Sequence, residues 1–158
     1  RRVAADCEGQ PPRRGRTPLA SQPDLAMLKR WLRHWTKVRH REAAERTLLT
    51  AIAGGTSPAA LADLLVSAAT DRVYADGGHL LDFINKACEC LDLIGWEHAS
   101  AVLPSVVGQL VSAQGAEEAT AWRHPIDLVA LCEQAAQEIR GLPVGVDGGE
   151  PWSEHARV

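Results

Sequence analysis

His79, His98 and His124 each stand at the start of a stretch with helical spacing. A histidine there feels the positive end of the helix macrodipole, which favours the neutral ring. The neutral imidazole is the form that ligates a metal or meets a polarised substrate. The helix that His79 opens is expected to run to Ile94, about 24 Å at 1.5 Å per residue, so His98 lies beyond its far end. The following helix returns the chain and should bring His124 back to the His79 end. Asp82, three residues on from His79, shares its face, and Asp76 lies one turn before it. His79, Asp82 and His124 are therefore the candidate metal ligands, a two-histidine, one-carboxylate set suited to a divalent metal. The competing reading is that both histidines simply hydrogen-bond loop backbone at helix ends, and no tight motif argues against it.

Cys88-Glu89-Cys90 looks like a redox or metal pair. On a helix, residues two apart point to different sides, so the two thiols can neither chelate together nor form a disulfide. Cys88 instead falls in the apolar stripe of its helix, where a free cysteine acts as a small hydrophobe. Arg30, Arg33, Lys37 and Arg41 form a basic stripe that could grip phosphate, beside Trp31 and Trp35. Both tryptophans also fall in register with Leu28 and Leu32, which makes them core residues rather than stacking platforms. The chain has no phosphate loop, no Gly-x-Ser-x-Gly elbow, no His-Glu-x-x-His and no dinucleotide fingerprint.

The elements that must position these residues are all helices. Pro23-Asp24 begins the first, with Ser21 or Asp24 as cap, and Leu28, Trp31, Leu32, Trp35 and Val38 make its stripe. Arg41 to Ala53 forms the next, ended by Gly54-Gly55, and nothing around His40 forces a break from the first. Ser57-Pro58 opens a third, since serine caps and proline at the first position gives up no needed hydrogen bond. His79 to Ile94 carries Leu80, Ile84, Ala87, Cys88, Leu91 and Ile94 on one face and Phe83, Cys90 and Leu93 on another, so cover on two sides is expected. Pro104 should kink or split the helix that begins at Glu97. The last helix is predicted from Pro125 to Arg140. No stretch alternates with period two, so the fold class is all-α: an antiparallel helical array or half-bundle of about five to six helices, without a sheet.

Composition agrees with this reading. Ala and Leu dominate a 46% hydrophobic content, with one Phe and one Tyr, a mix that favours helices over strands. Residues 1–22 hold five Arg and three Pro and are expected to be a disordered basic lead-in. Residues 23–141 are the expected helical domain, and 142–158 a flexible tail. Residues 1–46 carry twelve Lys/Arg against five Asp/Glu, whereas 47–158 carry five against fifteen. Such asymmetry can mark a nucleic-acid or membrane contact, but a basic linker and solvated helix face beside an acidic body is the favoured reading, and nucleic acid is the disfavoured partner. Four cysteines, Cys7, Cys88, Cys90 and Cys132, make no disulfide framework in a helical chain of this length. No apolar run reaches the roughly 20 residues of a membrane span. A cytoplasmic protein with no membrane contact is the expectation. The start at Arg1 and the Gly- and Pro-containing end suggest a piece of a longer protein.

Two resemblances bear on function. Ala51 to Ala69, A-I-A-G-G-T-S-P-A-A-L-A-D-L-L-V-S-A-A, is similar to a segment of the carboxymuconolactone decarboxylase-like and peroxidase-accessory helical proteins. In that family a Cys-x-x-Cys with a nearby His precedes the segment; here none does, so its catalytic residues do not carry over. A longer match spans about Leu28 to Ile139. The stretches D-R-V-Y-A-D-G-G-H-L-L-D-F-I-N-K-A (71–87), L-D-L-I-G-W-E-H-A (91–99), V-L-P-S-V-V (102–107) and A-W-R-H-P-I-D-L-V (121–129) resemble the helical region of bacterial proteins labelled Rieske (2Fe-2S) proteins. The resemblance implies an oxidoreductase-associated helical domain, completed by a second helical half and accompanied in some members by an iron–sulfur domain. The cluster motif itself is missing, because no cysteine here is followed two residues on by histidine. No iron–sulfur cluster is expected within this chain. Its expected partners are the remaining half of the same protein or further copies of itself. The alternative is a helical scaffold or protein-interaction domain without catalytic activity.

Overall fold

The computed structural model describes residues 15–141, which are mostly helical, with no strand among them. The lead-in before residue 15 and the tail after 141 lie outside the described residues, as does Cys7. Seven α-helices are present among the described residues: α1 (Leu25–Lys37), α2 (Arg41–Ala53), α3 (Pro58–Ala69), α4 (His79–Ile94), α5 (Ala99–Val102), α6 (Pro104–Ser112) and α7 (Leu128–Gly141). The all-α expectation holds. The described residues divide into two compact units on either side of the Glu118–Ala119 bond, and this boundary falls inside the span 23–141 that the sequence suggested as one domain.

In the first unit the caps are those that the residue types dictate. The Asp24 carboxylate accepts from the Met27 amide at 2.6 Å, and Ser57 Oγ accepts from the Ala60 amide with Pro58 at the first helical position. α1 and α2 are separate helices, contrary to the single long helix that the sequence allowed. Arg39 turns into the left-handed region at φ 58°, and the His40 ring then caps α2 by accepting the Ala43 amide at Nδ1. Proline 104 splits rather than kinks: it offers no amide to the preceding turn, and α5 and α6 meet at a fully buried Leu103.

Packing follows from these breaks. α1 lies against α2 and α3, α2 against α6, α6 against α4, and α4 against α3, so the five longer helices of this unit form a closed ring. Leucines fill it: Leu32, Leu48, Leu64, Leu65, Leu91, Leu103 and Leu110 are wholly buried, joined by Ile84, Val106 and Val107. Trp31, Trp35 and Trp96 are half-buried and pack on the edge of this core, as expected for the first two. Val38, expected in the stripe, is exposed, because the chain leaves α1 at that point.

Residues 15–22, the described part of the expected lead-in, have no helix but are tied to α2. The Leu19 amide donates to Thr50 Oγ1 at 2.9 Å, the Arg46 guanidinium donates to the Thr17 carbonyl, and Arg16 lies near Glu42 and Glu45.

The second unit contains one α-helix among its described residues. α7 begins at Leu128, three residues later than predicted at Pro125, because Asp127 and not His124 supplies the cap: its carboxylate accepts from the Ala130 amide at 2.9 Å.

Candidate functional site

α4 runs from His79 to Ile94, as the spacing predicted, and its start is built by an unusual turn. Tyr74 and Asp76 take left-handed backbone at φ 48° and 50°, followed by Gly77 and Gly78 at positive φ. Two backbone bonds tie this turn to the segment after α6, from the Asp76 amide to the Gln114 carbonyl and from the Ala116 amide to the Val73 carbonyl. The turn delivers His79 and Asp82 to the first turn of α4, where both side chains are exposed. His124 belongs to the second unit and is exposed there. Neither unit on its own groups three His, Cys, Asp or Glu that could hold a metal ion, among the described residues. His98 follows the far end of α4 in a short 3-10 turn, away from His79, as the helix length required. Gly95 makes that exit possible, since its φ of 105° suits no residue with a Cβ.

The cysteine pair resolves as the helical geometry demanded. Cys88 and Cys90 are free thiols, and Cys88 packs against the core. Burial pushes the Cys88 thiol up from its ordinary pKa, with a smaller push from Asp92, so it is a poor thiolate. The other face of α4 differs from expectation. Leu80, Ile84, Ala87 and Leu91 are buried, but Phe83 and Leu93 are exposed, Leu93 by 87%. The second apolar patch has no cover among the described residues, so α4 is packed on one side, not two. The ring of helices closes without needing that face.

The basic stripe of α1 has a different environment from the one that its spacing suggested. Arg30, Arg33 and Lys37 line a cleft of about 730 Å³, joined by His34 and Thr36 of the same helix. Arg41 is not part of it. Its guanidinium pairs with Glu45 at 2.7 Å and lies over Gly108, where a Cβ would come within 3.2 Å. Two arginines that sequence reasoning missed complete the cleft: Arg39, from the left-handed turn after α1, and Arg72, from the turn after α3. No periodicity brings these to α1. The bridge between the 71–78 turn and the 113–118 segment does so, which also sets Asp71, Glu117 and Glu118 on the rim.

Charges within the cleft are partly neutralised. Arg33 makes a two-pronged pair with Asp71 at 2.7 and 2.5 Å, which raises the arginine further above its ordinary pKa. Arg39 pairs with Glu118 at 2.6 Å and holds that carboxyl below the usual carboxylate range, helped by the Gly115 amide. Arg72 donates to the backbone carbonyls of Ala113 and Thr36. A second, smaller hollow of about 380 Å³ lies between Trp31, Trp35, His40 and Thr47. Trp35 contacts the rings of both His34 and His40, at 4.7 and 5.7 Å between centres.

In the second unit, Leu128, Leu131, Cys132, Ala135 and Ile139 recur at three- and four-residue spacing along α7, so they share one face. All five are exposed, Leu131 by 51% and Ile139 by 66%. No helix of the described residues is long and apolar enough to cross a membrane. Comparison with protein-family models, with curated proteins and with solved structures finds no match for this chain.

Proposed function

We propose that this chain is a helical protein-interaction domain that pairs with a second copy of itself through α7. The observation that carries this reading is the α7 stripe, an apolar face at helical spacing that no described residue of its own unit covers. A face of this kind is costly to leave in water, since burying one leucine or isoleucine side chain contributes about 1.5–3 kcal/mol. Two such helices brought together about a two-fold axis cover each other with the same residues, so one stripe suffices for both sides. The exposed Glu133, Gln134 and Glu138 form a polar margin to the stripe, the arrangement common to interfaces. Sedimentation of the full chain over a concentration series tests the proposal. A reversible monomer–dimer equilibrium is expected, shifted to monomer by Leu131→Asp with helical content unchanged. A monomer at every concentration rejects it.

A second reading keeps the oxidoreductase-associated role that the Rieske-labelled resemblance implies. Its support is local: His79 and Asp82 share the first turn of α4, three residues apart and both exposed. In this reading a residue of a further helical half completes a divalent-metal site with them. Metal content measured after incubation with zinc or iron, with and without His79→Ala and Asp82→Ala, decides it. Equal content in all three proteins rejects it.

A further inference from the structure

We propose that the cleft beside α1 binds a small molecule carrying two or more phosphate groups, gripped chiefly by Arg30, His34 and Lys37. This rests on observations independent of α7. Positions 30, 34 and 37 follow helical spacing, so they present one face, and Arg30 and Lys37 stand about 10 Å apart along the axis at 1.5 Å per residue. That span suits a diphosphate or triphosphate chain rather than a single phosphate.

The cations of the cleft fall into two groups. Arg33 and Arg39 are held by Asp71 and Glu118, and Arg72 is fixed by backbone carbonyls; these residues shape the walls. Arg30 has only the Met27 sulfur at 3.4 Å, and Lys37 has no ion pair among the described residues. Their charge is available to a ligand. The cleft is half open to solvent, and its volume of about 730 Å³ is of the size that small-molecule sites have.

Thr36 supplies the second observation. It is 98% buried and lines the cleft, yet its hydroxyl has no hydrogen-bond partner among the described residues. Thr47 and Thr50, buried on α2, each donate to the carbonyl four residues back, at 2.8 and 2.7 Å. Thr36 forgoes that bond, and an unsatisfied buried hydroxyl costs about 1–3 kcal/mol. Its Oγ1 is closed to solvent, so a phosphate oxygen in the cleft becomes its acceptor only when the side chains over it part. Asp71, Glu117 and Glu118 line the same cleft, so its positive charge is local to α1, which favours a compact anion over an extended nucleic-acid backbone.

Lys37 and His34 also lie in the last turn of α1, where cations offset the negative end of the helix. That role needs no ligand, and binding measurements separate the two. Titration calorimetry of the full chain with inorganic tripolyphosphate should give saturable one-to-one binding. Lys37→Glu and Arg30→Glu should each weaken it about tenfold or more, the scale of a lost charge-assisted contact. Lys86→Glu, the same charge change on α4, should leave affinity within about twofold. Thr36→Val, which keeps the shape and removes the hydroxyl, should weaken binding without lowering the melting temperature. Absence of binding overturns the proposal. So does equal weakening by Lys37→Glu and Lys86→Glu, which would mean diffuse charge attraction. Tighter binding of single-stranded DNA or RNA than of tripolyphosphate, lost in the same α1 variants, would reassign the face to nucleic acid and equally overturn it.

Discussion

Helices α4 and α7 both place apolar residues three and four apart, and the surroundings of those residues differ completely. On α4, Leu80, Ile84, Ala87 and Leu91 are buried in the leucine core, with Leu91 wholly inaccessible. On α7, Leu128, Leu131 and Ile139 stand in the open. Each helix also carries a cysteine in or beside its stripe: Cys88 packs against the core, whereas Cys132 is exposed. The difference teaches that helical periodicity announces an apolar face but not what covers it. In the first unit the cover is the rest of the ring. In the second, no described residue of its own unit covers it, and that bare face is the basis of the interaction reading.

The sharpest way to break the comparison is to cut the same residue type from both helices. Leu91→Ala should destabilise the first unit by about 2–5 kcal/mol, the cost of lost burial plus a cavity. Leu131→Ala, measured in dilute solution where the protein is monomeric, should change unfolding by no more than about 0.5 kcal/mol. Denaturant titrations that gave equal losses would show that α7 is as well covered as α4.

The cysteines probe the same contrast chemically. Cys132 should be alkylated about ten times faster than Cys88, which is shielded and has its thiol pushed up by burial. Peptide mapping after timed exposure to iodoacetamide measures both rates at once. Similar rates would mean that α4 opens as readily as α7 is open.

A smaller effect tests whether the ring depends on its caps. Asp24→Ala removes the acceptor of the Met27 amide and should cost about 1 kcal/mol, read as a lower denaturation midpoint with an unchanged slope. Asp127→Ala removes the equivalent cap from α7 and should reduce helical content without moving that midpoint.

The smallest effect concerns the last residue of the first unit. Glu118 has its carboxyl held below its ordinary 4.5, first by Arg39 and then by the Gly115 amide. A depressed carboxyl stabilises the fold above the unfolded value, and the contribution is lost as pH falls through the folded one. Stability should therefore decline on acidification below about pH 4.5. Glu118→Gln should make that decline slightly shallower, and only slightly because the pair is exposed. An identical pH profile for the two proteins would show that the Arg39–Glu118 pair contributes nothing.

Much of the fold was legible because its signals are local. Asp24, Ser57-Pro58 and Gly54 mark helix ends by chemistry confined to one turn, and α1 and α3 begin, and α2 ends, where those residues place them. The break at Arg39 was not legible, since a left-handed arginine has no residue-type signal and is held by His40 capping the next helix. Nor was the start of α7, which Asp127 caps beyond the predicted start at Pro125.

The candidate site divides in the same way. The sequence by itself determined that Cys88 and Cys90 diverge, that His79 and His98 stand at opposite ends of one helix, and that Arg30, Arg33 and Lys37 share a face. Those are consequences of helix geometry, which depends only on spacing. Only the tertiary structure decided that Arg41 leaves this face for Gly108, that Arg39 and Arg72 join it, and that the Thr36 hydroxyl is buried there without a partner among the described residues. Only it decided that α4 buries one apolar face and leaves the other bare. The physical reason is that burial and ion pairing depend on which surfaces meet, and a meeting between turns forty residues apart leaves no periodic trace along the chain.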